Sequence, residues 1–148
     1  MKKVIVFLLI SLMTVGIAFA DRERAITARE LPVKAQEFIK KYFPEAEISL
    51  IKKEVEYITR TTYKVVLVNG DKIEFNGSGE WREMEFRHTD VPMTLIPAPI
   101  RTTLTQKYPQ QAVRQIEKLR RGRYEIKLSN GIELTLNKEG RILDLDID

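Results

Sequence analysis

Apolar residues follow two periods along this chain, one helical and one strand-like, and the two alternate in a fixed order. Leu31, Ala35, Phe38, Ile39 and Tyr42 fall at i, i+4, i+7, i+8 and i+11, with Lys34, Glu37, Lys40 and Lys41 on the other side of the same helix. Pro32 suits the first helical turn, where a missing N–H costs nothing, and Pro44 stops the ladder. Beyond it the period drops to two. Ile48, Leu50, Ile51 and Val55 predict a strand, and Tyr63, Val65, Leu67, Ile73 and Phe75 predict a hairpin. The succession then returns. Ile96, Ile100, Leu104 and Tyr108, between Pro97 and Pro109, predict a second helix on a narrower stripe, hence a shorter or less secure one. Val113, Ile116 and Leu119 predict a strand, and Tyr124 to Leu136 a second hairpin.

The recurrence keeps a register. Pro32, Ile39, Phe43 and Pro44 return 65 positions later as Pro97, Leu104, Tyr108 and Pro109. Tyr63, Asn69-Gly70, Ile73, Phe75 and Gly79 return 61 positions later as Tyr124, Asn130-Gly131, Leu134, Leu136 and Gly140. The difference falls between Ile51 and Tyr63, so the second copy has a shorter first turn. These offsets imply an α+β tandem repeat of a helix plus a four-stranded antiparallel sheet, residues 21–90 and 91–148, in one compact two-repeat domain.

Parity sets the pairing. Tyr124, Ile126, Leu128, Ile132, Leu134 and Leu136 share one face only if the loop has three residues, which pairs Ile126 with Leu134 and puts Gly131 in the left-handed position of a G1 bulge. The first hairpin obeys the same rule, with Val65 opposite Ile73, Tyr63 opposite Phe75 and Gly70 at the bulge. A four-residue turn at Asn137 to Gly140 then pairs Leu136 with Arg141 and Leu134 with Leu143, keeping Leu143, Leu145 and Ile147 on the helix-covered face. Moved back by 61, this register sends Met84 and Phe86 inward and leaves Trp81, Glu83 and Glu85 outward. A one-residue bulge near Gly79 would instead turn Trp81 into the core. With helices on one face only, the other sheet face meets solvent or a partner. Trp81, Val66 and Val68, beside Lys64, Lys72, Glu74 and Glu83, are its candidate binding residues, since aromatic residues on a polar face anchor interfaces.

Lys2 and Lys3, the apolar run Val4 to Ile17 and the small residues of Ala18-Phe19-Ala20 read as a secretory signal peptide over residues 1–20, too short for the ~20 apolar residues of a membrane span. The formal net charge of +4 falls to +2 without its two lysines, too even for a nucleic-acid footprint. An exported chain without cysteine depends on its apolar core, and a periplasmic location suits it better than a disulfide-rich extracellular one. Catalytic or metal chemistry finds little support. His88 stands alone in the polar link Arg87-His88-Thr89-Asp90, with no cysteine to complete a nucleophile or zinc set. Asp144, Asp146 and Asp148 alternate along one strand without the glycine and distal glutamate of a calcium loop, and read as a solvated edge. Lys118, Arg120, Arg121 and Arg123 around Gly122 read as a solvated hairpin tip, and Asn76-Gly77-Ser78 as a turn rather than a glycosylation site. No cofactor is implied.

Together Leu31-Pro32, Ile39 to Pro44, Tyr63 to Leu67, Asn69-Gly70, Ile73 to Phe75 and Gly79 to Trp81, with their counterparts Ile96-Pro97, Tyr108-Pro109, Tyr124 to Leu128, Asn130-Gly131 and Gly140, resemble the PepSY-like, putative β-lactamase-inhibitor-like (BLIP-like) family of exported bacterial proteins. The resemblance covers residues 26–148. It implies two helix-plus-four-strand units sharing one curved sheet, helices on the convex side; in the family's namesake the concave face grips a β-lactamase. It brings no catalytic residues, and fold does not imply function. The expectation is a monomeric, non-enzymatic binding module, periplasmic or secreted, that engages a protein or peptide through the open sheet face and inhibits or regulates an envelope enzyme. The alternative is a small-ligand carrier or envelope sensor with its site in the cleft where the repeats meet.

Overall fold

The computed structural model describes residues 22–56 and 60–147. The signal peptide expected at residues 1–20 and Asp148 lie outside them. Strand β1 (Arg24–Ala25) precedes helix α1 (Val33–Tyr42), which is followed by β2 (Ile48–Glu56), β3 (Arg60–Leu67), β4 (Lys72–Asn76) and β5 (Trp81–Glu85). Helix α2 (Ala98–Lys107) then leads to β6 (Val113–Lys118), β7 (Arg123–Leu128), β8 (Ile132–Asn137) and β9 (Ile142–Ile147). The nine strands form one open antiparallel sheet in chain order. Eight were expected; the additional strand, β1, is two residues pairing with Lys52 and Lys53 of β2, too short to leave a pattern in the sequence.

Both helices begin and end alike because the same residue types sit at their ends. Pro32 and Pro97 are the N-caps, with φ of −52° and ψ of 140° and 137°, and the carbonyl of Pro32 accepts from the N–H groups of Ala35 and Gln36. Phe43 and Tyr108 are the C-caps, with φ of −135° and −133° and ψ of 54° in each. Contrary to expectation, α2 is not shorter: both helices have 10 residues. Its narrow stripe suffices because Ile100 and Leu104 are both fully packed into the core, and packing outweighs propensity.

The two hairpins have the expected registers. Tyr63 pairs with Phe75 and Val65 with Ile73, while Tyr124 pairs with Leu136 and Ile126 with Leu134. Gly70 and Gly131 both have φ of +88°, the left-handed backbone that closes a three-residue loop. The irregularities recur too. One bulge lies between Ile48 and Leu50 of β2 and another between Val113 and Gln115 of β6; a second kind makes Arg82 of β5 and Leu143 of β9 the additional residue.

One row of side chains explains the core. Ile51, Val65, Ile73, Met84, Ile116, Ile126 and Leu134 stand opposite one another on seven successive strands, β2 to β8, each at most 3% exposed. Burying such a side chain stabilises by about 1.5–3 kcal/mol. Ala35 and Ile39 of α1 and Ile100 and Leu104 of α2 complete the same apolar cluster, so both helices cover this face. The β5·β6 pairing, Met84 opposite Ile116, makes the sheet continuous between the two halves. Asp71, the buried charged side chain, ties the β3·β4 turn to the link between the halves: its carboxylate accepts from the Arg87 N–H at 3.0 Å and from Thr89 Oγ1 at 2.6 Å.

The last strand departs from the expected register by one residue before its bulge and by two beyond it. Leu134 pairs with Leu145, not Leu143, and Leu136 with Ile142, not Arg141, because the bulge at Leu143 takes up the odd residue. Beyond the bulge parity is kept, so Leu145 and Ile147 do face the helix side, but they are 46% and 68% exposed; before it Ile142, rather than Leu143 as expected, faces the helix side, opposite Leu136, and packs on the core. No tenth strand lies beyond them among the described residues.

Candidate functional site

The open face repeats the row pattern with charge in place of hydrocarbon. One residue along from the apolar row, Lys52, Lys64, Glu74, Glu83, Glu117 and Glu125 stand opposite one another in that order across β2 to β7, continued by Thr135 and Asp144. Four glutamates are therefore consecutive cross-strand neighbours, two on each side of the β5·β6 joint. Like charges opposite one another in a sheet are destabilising. Partial burial raises the Glu74 carboxyl above the usual carboxylate range, and the charge of Glu83 adds to it. Glu117 is raised by burial and then by Glu83, Glu125 and Glu74; Glu125 is raised by burial and then by Glu133 and Glu83. The Lys64 and Arg82 charges oppose the rise at Glu74, Arg82 opposes it at Glu117, and Gln115 Nε2 donates to Glu83 Oε1 at 2.8 Å.

Of the candidate residues, Lys64, Lys72, Glu74 and Glu83 stand on this open face, and Val66 stands there opposite Lys72. Val68 lies just past the end of β3, 65% exposed, its N–H donating to the Glu47 carbonyl at 2.9 Å. Trp81 does not belong to the open face. The bulge at Arg82 puts it opposite Phe75, which is fully buried among the helices, so Trp81 packs on the helix side. Glu117 and Glu125 are among the open-face residues that the candidate set omitted. Their signal was present: once Ile116 and Ile126 face inward, the next residue on one strand and the preceding residue on the other must face outward.

On the helix side Trp81 lines a shallow pocket of about 350 Å³ with Lys34, Phe38 and Tyr42 of α1, Leu95 of the link between the halves, and Lys118 of β6. Lys118 Nζ lies 3.7 Å from the centre of the Trp81 ring, a close cation–π contact. Burial, the largest effect, holds the Lys118 ammonium below its ordinary pKa, and the Glu80 carboxylate opposes it. Glu80 also pairs with Lys34 at 2.7 Å, and the Phe38 and Tyr42 rings are 4.8 Å apart.

The remaining sequence candidates do not converge. His88 is exposed, Asp144 and Asp146 project from an exposed edge, and Arg120 to Arg123 form an exposed turn. Asn76 is a turn residue, its Oδ1 accepting from Ser78 and Glu80 N–H groups. Among the described residues no group of three or more His, Cys, Asp and Glu side chains is arranged to hold a metal ion.

A pure antiparallel meander with two helices on one face and a charged open face defines the class as an α+β protein with a single open sheet. The family model described as "Putative beta-lactamase-inhibitor-like, PepSY-like" matches residues 61–144, and this chain belongs to that family. A protein of Bacteroides vulgatus described as a putative periplasmic protein is 34% identical, with a TM-score of 0.80 over 86% of this chain and 98% of its own. A protein of Bacteroides thetaiotaomicron described as a putative calcium-regulated periplasmic protein is 36% identical, with a TM-score of 0.78 over 84% of this chain and 96% of its own. A second Bacteroides vulgatus protein, described as a putative periplasmic protein of unknown function, is 34% identical, with a TM-score of 0.78 over 84% of this chain and 98% of its own. No curated protein matches. The expected periplasmic location thus agrees with how these relatives are described.

Proposed function

We propose that this chain is a non-enzymatic binding module of the bacterial periplasm, built from two copies of one helix-plus-four-strand unit, that engages a basic segment of a protein or peptide through its open sheet face. The observation that carries this reading is the row Glu74, Glu83, Glu117 and Glu125, four carboxylates in succession across the joint between the halves, with Lys64 opposite Glu74 at one end. A partner's lysines or arginines on that row would relieve a repulsion built into the free protein, so binding releases electrostatic strain as well as forming ion pairs. Val66 and the half-exposed Leu50 opposite it supply an apolar flank. The matching cap angles, glycine turns and bulges at offsets of 65 and 61 support the two-copy origin. Regulation of an envelope enzyme is the role such a face would serve.

The test is calorimetric titration with a lysine-rich peptide at low salt. Glu83→Gln/Glu117→Gln should weaken binding at least tenfold, and binding should weaken further as salt rises. Unchanged affinity in the double variant would remove the open face as the site. Because one relative is described as calcium-regulated, calcium is the first competitor to add.

A second reading is favoured by a different observation, the pocket that Trp81, Leu95 and Lys118 form between the halves. Its aromatic walls and ammonium groups suit a small organic anion with an apolar body. Trp81 is the single tryptophan, so such a ligand would change its fluorescence, and a ligand bound without changing it would lie elsewhere.

A further inference from the structure

We infer that the free edge of β9 accepts an extended peptide segment of alternating apolar and basic residues as a tenth strand. The molecule holds its own template for this contact. Met84 and Phe86 in the first half stand 61 positions before Leu145 and Ile147. Met84 and Phe86 are 0% and 3% exposed because β6 lies beside them: Ile116 opposes Met84, and the Phe86 N–H donates to the Arg114 carbonyl at 2.7 Å. Leu145 and Ile147 face the same side, opposite Leu134 and Ile132, and have no such strand beyond them among the described residues.

The edge is also held ready. Gly140, at φ +84°, brings the β8·β9 turn so close to α2 that a Cβ there would lie 2.3 Å from the Pro99 carbonyl oxygen, and Thr103 Oγ1 donates to the Gly140 carbonyl at 2.6 Å. A strand fixed at its start and bare along its side meets the requirement for strand addition, in which backbone hydrogen bonds give affinity and alternate side chains give specificity. Protective devices are few, the bulge at Leu143 near the start of β9 being one. β9 has no proline and no lysine, and its charges, Asp144 and Asp146, project to the open face rather than inward.

The occupant's chemistry follows from the two faces of β9. Its helix-side residues must be apolar, as Ile116 is beside Met84. Its open-face residues must be basic, because they will stand beside Asp144 and Asp146; here the occupant departs from the template, since β6 sets Gln115 and Glu117 against Glu85 and Glu83. A second copy paired β9 to β9 would bring like aspartates together, so an alternating apolar and basic segment of another chain fits better.

The test is amide hydrogen exchange over residues 142–147 of the full chain, with an eight-residue peptide of alternating valine and lysine, and with a block isomer of four valines then four lysines. The alternating peptide should slow exchange in β9 at least tenfold, and the block isomer should not. Leu145→Lys/Ile147→Lys, at positions already exposed, should abolish the protection, as should Ile147→Lys alone in large part. Glu83→Gln/Glu117→Gln should retain it, which separates this edge from the open-face row. Exchange unchanged by the alternating peptide, slowed equally by both isomers, lost in the glutamine variant, or slowed by raising protein concentration alone would each overturn the inference.

Discussion

Strands β5 and β9 follow matching glycine turns, carry the same bulge and present apolar residues to the same side, yet one is core and the other is surface. Met84 is fully buried and Leu145, 61 positions later, is 46% exposed. The difference lies in the neighbour. β5 has β6 on its far side, whereas β9 ends the sheet, so burial here is a property of the pairing rather than of the residue.

The largest effect should come from truncating the two counterparts. Met84→Ala should cost about 2–5 kcal/mol in urea unfolding and Leu145→Ala under about 1 kcal/mol, and equal losses would break the comparison. Next come the glycines. Gly140→Ala and Gly79→Ala combine a φ near +85° with a Cβ 2.3 Å and 2.8 Å from Pro99 and Pro32 atoms, and each should lose about 1–3 kcal/mol or more, Gly140 the greater because it meets backbone. At Gly70 and Gly131 nothing lies within 4 Å, so alanine there should cost only the ~1–2 kcal/mol of the left-handed backbone.

A smaller effect, of opposite sign, is expected on the open face. Because Glu74, Glu117 and Glu125 titrate above the usual carboxylate range, the native state holds these protons more tightly than the unfolded chain does. Their effect is therefore to lower stability as pH rises from about 4.3 through their raised folded values. Glu23, Glu30 and Glu80, lowered chiefly by Lys52, the Thr27 N–H and Lys34, act oppositely and lose their contribution as pH falls below that range. Thermal melts from pH 4 to 7 should thus fall toward neutrality, and Glu83→Gln/Glu117→Gln should flatten the fall and stabilise by about 0.5–1 kcal/mol at pH 7. A double variant less stable at pH 7 than the parent would contradict the strain ascribed to the row. Smallest is Lys118→Met, which should leave stability within about 0.5 kcal/mol while changing Trp81 fluorescence by removing the ammonium from its ring.

Much of this was legible from parity. The hairpin registers, the bulged glycines and the inward set Val65, Ile73, Met84, Ile126 and Leu134 follow from period two once each loop length is chosen. Trp81 was legible only as a choice between two registers, of which the bulged one is observed, because one additional residue at Arg82 changes which side Trp81 takes, and neither Arg82 nor Leu143 looks different in sequence from a regular strand residue. The exposure of Leu145 was hidden for another reason: an edge strand and a central strand read alike when both are apolar on one side. The glutamate row was present in the pattern but needs the β5·β6 pairing, a contact between halves, before Glu83 and Glu117 become neighbours.

The measurement that tests the proposed binding surface most directly is an NMR titration of the full chain with a lysine-rich peptide, following backbone amides and side-chain carboxyl carbons. The largest shifts should fall on Glu74, Glu83, Glu117 and Glu125, with the carboxyl groups titrating at lower pH once the peptide is bound. Shifts confined to other surfaces, or saturation with the four carboxyl signals unmoved, would contradict the proposed role of the open face.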